Sequence, residues 1–77
     1  MNRRFDRISI DPAVMNGQPC IAGTRLTVRR VVEAAALYAD RAALKAEYPE
    51  LQDEDIVQAL AYAASSLDDE VQPLEAA

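Results

Sequence analysis

The sequence has no histidine, no tryptophan and a single cysteine, Cys20, among its 77 residues. One cysteine excludes an internal disulfide. The lack of histidine excludes the usual zinc sites and every Ser-His or Cys-His nucleophile pair. Bulky apolar side chains are scarce too: hydrophobic content is 51%, but 15 of those positions are alanine and one is phenylalanine. Alanine favours helix while filling little volume. A chain near this length buries only about 60% of the surface that its unfolded form exposes. Self-association or a partner protein is therefore expected. The apolar stretches fall well short of the roughly 20 residues that a membrane-spanning helix needs. The charged start, Met1 to Arg7, leads into no hydrophobic signal core. The expectation is a cytoplasmic protein without a cofactor, and one that is not an enzyme, for want of the polar groups from which active sites are built.

Basic residues are missing from residues 46–77. All eight lie within residues 1–45, beside four acids (Asp6, Asp11, Glu33 and Asp40), a balance of +4. Residues 46–77 hold nine acids, a balance of −9. The net charge of −5 thus conceals a cationic front and an anionic back. Such asymmetry points to nucleic-acid contact at one end and a tail-like interaction segment at the other.

What is present reads as short extended pieces followed by helices. Ile8-Ser9-Ile10 alternates with period two until Asp11-Pro12, where proline turns its predecessor away from helix. Asn16-Gly17 is a turn dipeptide that tolerates positive φ, Pro19 to Ala22 reads as a second short strand, and Gly23-Thr24 turns the chain again. Strands of two or three residues are not stable unaided, so a homodimer formed through them is expected. Thr27 is placed to cap a first helix, with Val28, Val31, Val32, Ala35 and Ala39 as its apolar stripe. Asp40 caps a second, from Arg41 to Tyr48, with Leu44 and Tyr48 on its buried side and Pro49 closing it. A third spans Glu54 to Leu67, with Ile56, Leu60, Ala63 and Leu67 in one stripe and Val57 and Ala64 beside it. Its exposed positions are expected to include Glu54, Asp55, Gln58 and Ser65. Either Gln52, which gives a Leu51/Ile56 staple, or Asp53, the better capping side chain, starts it. Beyond Leu67, the acidic run to Ala77 shows no periodicity and is expected to be mobile. The predicted fold is mainly α: a small helix-turn-helix, three-helix bundle over residues 1–67, preceded by a short strand hairpin and followed by an acidic tail, residues 68–77.

Two ordered motifs resemble a known family. Ile10-Asp11-Pro12, then Gly17-Gln18-Pro19-Cys20-Ile21-Ala22-Gly23-Thr24-Arg25-Leu26 and Val28, resemble the N-terminal signature of the domain of unknown function family numbered 433. Glu47-Tyr48-Pro49-Glu50-Leu51 and Glu54-Asp55-Ile56-Val57-Gln58-Ala59-Leu60-Ala61-Tyr62-Ala63 are similar to its second half. The resemblance covers about residues 8 to 64. It implies a homeodomain-like helical fold and an antitoxin-like role beside a PIN-like ribonuclease in a bacterial toxin–antitoxin pair. Antitoxins of this type bind operator DNA to repress their own operon and inhibit the toxin by direct contact.

The residues themselves suggest two surfaces. Arg3, Arg4, Arg7, Arg29 and Arg30 form the candidate cationic, phosphate-contacting set. Arg25 joins it as a grip on a phosphate or carboxylate, or else ties its loop to Asp11 or to a helix-end carbonyl. Leu67, Val71 and Leu74, set among Asp68, Asp69 and Glu70, form a candidate acidic segment with apolar anchors that orders on a basic partner. Gly17 and Gly23 read as positive-φ turn residues, and Cys20 as a small buried hydrophobe. The third helix has no basic residue for base edges, so DNA contact is expected from the arginine-bearing half. Two other readings stand beside the antitoxin: a stand-alone DNA-binding regulator, and an adaptor that no longer touches nucleic acid.

Overall fold

The computed structural model describes residues 5–67. Ile8–Ser9 (β1) and Cys20–Ile21 (β2) pair antiparallel, Ile8 opposite Ile21 and Ser9 opposite Cys20. Strands this short are held by what flanks them. The Ala22 N–H donates to the Arg7 carbonyl (2.8 Å) on one side, and the Ile21 N–H donates to the Leu26 carbonyl (2.9 Å) on the other. The Val28 N–H donates to the Pro19 carbonyl (2.9 Å), and Cys20 bridges to Thr27. β2 is thus the middle of three extended segments. The link from β1 to β2 turns through residues 15–17, where Asn16 and Gly17 take the expected positive φ. Met15 takes one as well, which the sequence does not announce.

Three helices follow. Val28–Leu37 (α1) starts at Thr27, whose Oγ1 accepts from the Arg30 N–H (3.1 Å). Arg41–Glu47 (α2) starts at Asp40, whose Oδ1 accepts from the Ala42 N–H (3.1 Å). Asp53–Ser65 (α3) starts at Gln52, whose N–H donates to Asp55 Oδ2 (2.9 Å). Of the two candidate caps Gln52 is the one used, and Leu51 and Ile56 on either side are both buried. The core joins Ile21, Val28, Val31, Ala34, Leu44, Leu51, Ile56 and Ala59, so the small Ala34 and Ala59 let α1 and α3 approach closely. The helical majority and the small antiparallel hairpin agree with the sequence reading.

The two apolar stripes need correction. α1 ends at Leu37, which leaves Ala39 outside the helix and exposed, and Ala34 takes the buried position. α3 ends at Ser65 rather than Leu67, and its buried residues are Asp55, Ile56, Gln58 and Ala59. Leu60 and Leu67 face outward instead. Asp55 and Gln58, expected on the surface, are covered. The reason is the N-terminal arm. It packs along α3 and offers polar groups that Asp55 and Gln58 satisfy, so that side of the helix is taken up by hydrogen bonds.

Candidate functional site

The arm begins with Phe5, buried edge-on against Tyr62 with ring centroids 5.2 Å apart at 78°. Arg7 follows. Its guanidinium donates to Gln52 Oε1 (2.9 Å) and lies 3.4 Å from the buried Asp55 carboxylate. Its backbone N–H donates to Gln58 Oε1 (3.0 Å). The Gln58 amide then donates to Asp6 Oδ1 (2.8 Å) and Glu54 Oε2 (3.1 Å). Arg7, one of the arginines expected to face a phosphate, is therefore drawn into a clasp with α3. Sequence reasoning missed this clasp. The signal was Gln52, Asp55 and Gln58 at steps of three along one side of a helix.

Among the described residues, the rest of the candidate cationic set, Arg25, Arg29 and Arg30, gathers at the start of α1. Arg25 is exposed and makes no hydrogen bond or ion pair with the described residues, so it ties to neither Asp11 nor a helix end. Its turn is held instead by Thr24, whose Oγ1 donates to the Ile21 carbonyl (2.8 Å) and accepts from the Leu26 N–H (2.9 Å). Gly23 there has φ +81°, with nothing within 4 Å of the place a Cβ would occupy. Arg29 and Arg30 are exposed and share Glu33, at 3.3 Å and 3.9 Å. Arg25 and Arg30, with Met15, Leu26, Thr27 and Tyr48, line a depression of about 200 Å³. Three guanidiniums against one carboxylate leave this end of α1 cationic. Arg3 and Arg4 lie outside the described residues. At the joint of α2 and α3, Lys45 donates to Asp53 (3.1 Å) and Arg41 lies 3.7 Å from the same oxygen. The Lys45 hydrogen bond is the main reason that the Asp53 carboxyl is held below the ordinary carboxylate range.

A second surface is apolar. A groove of about 410 Å³ opens between the first half of α1 and the end of α3. Pro19, Val28, Val32, Tyr62, Ala63 and Leu67 line it, and the Arg29–Glu33 pair stands at its rim. Leu67, at 74% exposed, is the described member of the candidate partner-binding segment, and it lies in the groove wall. Asp68, Asp69, Glu70, Val71 and Leu74 lie outside the described residues. Val28 and Val32 were legible as apolar positions, but not as a groove, because the stripe does not tell which flank is left uncovered. Cys20 is buried and free, as expected. Among the described residues, no helix is long and apolar enough to cross a membrane.

No curated protein matches the chain. A solved structure does: a DUF433 member protein from Anabaena variabilis ATCC 29413, 34% identical, with a TM-score of 0.71. The match covers 79% of this chain and 60% of that one, so the present chain corresponds to only part of its relative's length. The family described as "Protein of unknown function (DUF433)" matches residues 8–63, and the chain belongs to that family.

Proposed function

We propose that this chain is an antitoxin-like, non-catalytic component of a bacterial toxin–antitoxin pair, which binds and neutralises a PIN-like ribonuclease in the cytoplasm. A homeodomain-like helix-turn-helix arrangement, a homodimer and repression of its own operon belong to the same proposal. The observation that carries it is the open apolar groove between α1 and α3, with Leu67 in its wall. An exposed concave apolar surface on so small a domain suits a protein partner. The choice of partner comes from the family resemblance of the two motifs.

The test is co-expression of the full chain with a PIN-like nuclease and measurement of RNA cleavage. A stoichiometric complex with silenced cleavage is expected. Leu67→Ser, or removal of residues 68–77, should weaken that complex. Full cleavage in the presence of saturating chain would sink the proposal. A stand-alone DNA-binding regulator is the second reading, favoured by the cluster of Arg25, Arg29 and Arg30 at the start of α1. In either case DNA contact falls to these arginines and not to α3, where Asp53 and Glu54 are exposed and no base is present.

A further inference from the structure

Arg25 stands apart from the other described cations. Arg7 is paired with Asp55, Arg29 and Arg30 share Glu33, and Arg41 and Lys45 meet at Asp53. Arg25 has no partner among the described residues, and it lines two depressions. In the first, with Ser9, Gly23 and Thr24, it faces the same space as the Asp11 carboxylate. In the second, of about 200 Å³, it is joined by another guanidinium, Arg30, and by the ring of Tyr48. None of the described residues lining the second depression is acidic. Part of that lining is held by a strained backbone. Met15 has φ 50°, a left-handed conformation that side chains other than asparagine and aspartate seldom adopt. Conformations of this kind gather where ligands are clamped, and here Met15 forms part of the depression wall. Tyr48 is half-buried against the core and still lines the depression, and its hydroxyl makes no hydrogen bond with the described residues.

Two guanidiniums call for an anion, and Tyr48, Met15 and Leu26 call for a flat apolar group beside it. The depression is smaller than the roughly 300–1,000 Å³ that enclose a drug-sized ligand, so it takes one unit of a larger molecule. An unstacked base on a phosphate backbone has both parts. Arg29 extends the cationic surface beyond the depression to the rim of the apolar groove, which suits repeated phosphates better than a single phosphorylated side chain. A duplex keeps its bases stacked and would leave Tyr48 unused. Glu33 lies 3.9 Å from Arg30 but 3.3 Å from Arg29, so Arg30 is the less committed of the two. Glu47 and Glu50 are exposed and close to Tyr48 in sequence, but neither lines the depression. We propose that this depression receives one unpaired nucleotide of a single-stranded nucleic acid, with phosphate on Arg25 and Arg30 and base on Tyr48 and Met15. The inference goes beyond the nuclease reading; it shares two arginines with the duplex-binding reading but requires a different ligand.

The probes are short fluorescein-labelled single strands of DNA and of RNA, a strand of equal length without bases, and a duplex, each titrated with the full chain. A single strand should bind more tightly than the base-free strand and the duplex, and the tighter of DNA and RNA names the polymer. Tyr48→Leu keeps apolar bulk but removes the stacking face, and should weaken single-strand binding about tenfold. Arg25→Gln removes an unpaired charge and should lower the slope of log affinity against log salt by about 0.7, the share of one phosphate on a single strand. Met15→Gly should weaken binding severalfold without loss of thermal stability, because glycine takes a positive φ freely. Arg41→Gln, an equal loss of charge outside the depression, should leave binding unchanged. The proposal is overturned if neither single strand binds, or if the base-free strand, the duplex or a phosphotyrosine peptide binds as well. It is also overturned if Arg41→Gln costs as much as Arg25→Gln. Failure here leaves the nuclease assay untouched, since that assay reads Leu67 and the groove. Tight duplex binding would end this proposal while favouring the DNA-binding regulator.

Discussion

Arg7 shows how one side chain can change the reading of a whole face. As a sequence it is one more cation in a basic front; in the fold it is the counter-charge of Asp55, which is 5% exposed. Removing a partner from a buried acid leaves that acid with its desolvation uncompensated. Because the Arg7 side chain is about a third exposed, the cost is set below that of a fully buried pair. Arg7→Ala should lower unfolding free energy by about 1–3 kcal/mol, measured as a shift of the urea midpoint. A shift no larger than that of Arg29→Ala, whose partner Glu33 is exposed, would show the clasp to be unimportant. The clasp was not legible from spacing alone. Apolar periodicity identifies the side of α3 that avoids water, but Gln58 and Asp55 avoid water for a different reason, and only the arm's position supplies it.

Helix beginnings were the most legible part of the fold, because a cap is a local hydrogen bond between residues two or three apart. Thr27 and Asp40 stand where the sequence places them, and Gln52 is one of the two caps it allows. Helix ends and inner faces were less legible, since neighbours decide them: Ala39 and Leu60 satisfy the stripe and yet lie outside the core. Thr27→Ala should cost about 1 kcal/mol, read from thermal unfolding. The joint of α2 and α3 has its own signature in pH. The Asp53 carboxyl is lowered in the folded state, so its contribution to stability is complete above its ordinary value of about 3.9 and is lost as pH falls through the lowered folded value. Asp53 is exposed, so the effect should be small and confined to acid. Asp53→Asn should flatten the stability–pH curve below about pH 4, and an unchanged curve would rule this out.

Across the molecule, the cationic and anionic halves of the sequence become surfaces of different kinds. The cationic front is reduced, because Arg7 turns inward and Arg29 and Arg30 share Glu33. Among the described residues, what is left for a polyanion is a small cluster at one helix end. If that cluster contacts phosphates, the double variant Arg29→Ala/Arg30→Ala should weaken binding of duplex DNA across sequences. It should also reduce the slope of log affinity against log salt by about two. An unchanged slope removes these arginines from any DNA site. Of the candidate surfaces, the arginines at the start of α1 and the apolar anchor Leu67 were legible, because composition reveals charge and bulk. The groove was not, for it depends on where Pro19, α1 and the end of α3 come together in space.

The arm that reaches α3 also constrains how the chain can fold. The hydrogen bonds that Gln58 accepts from Arg7 and donates to Asp6 join residues 51 and 52 positions apart, in a sequence of 77. Closing so large a loop carries an entropic cost that shorter contacts do not, and long-range closure slows folding. The helices can form from neighbours in sequence, but β1 finds its full setting only after α3 has been made. A nascent chain therefore cannot complete this domain until Gln58 has been synthesised, however early its first strand is made.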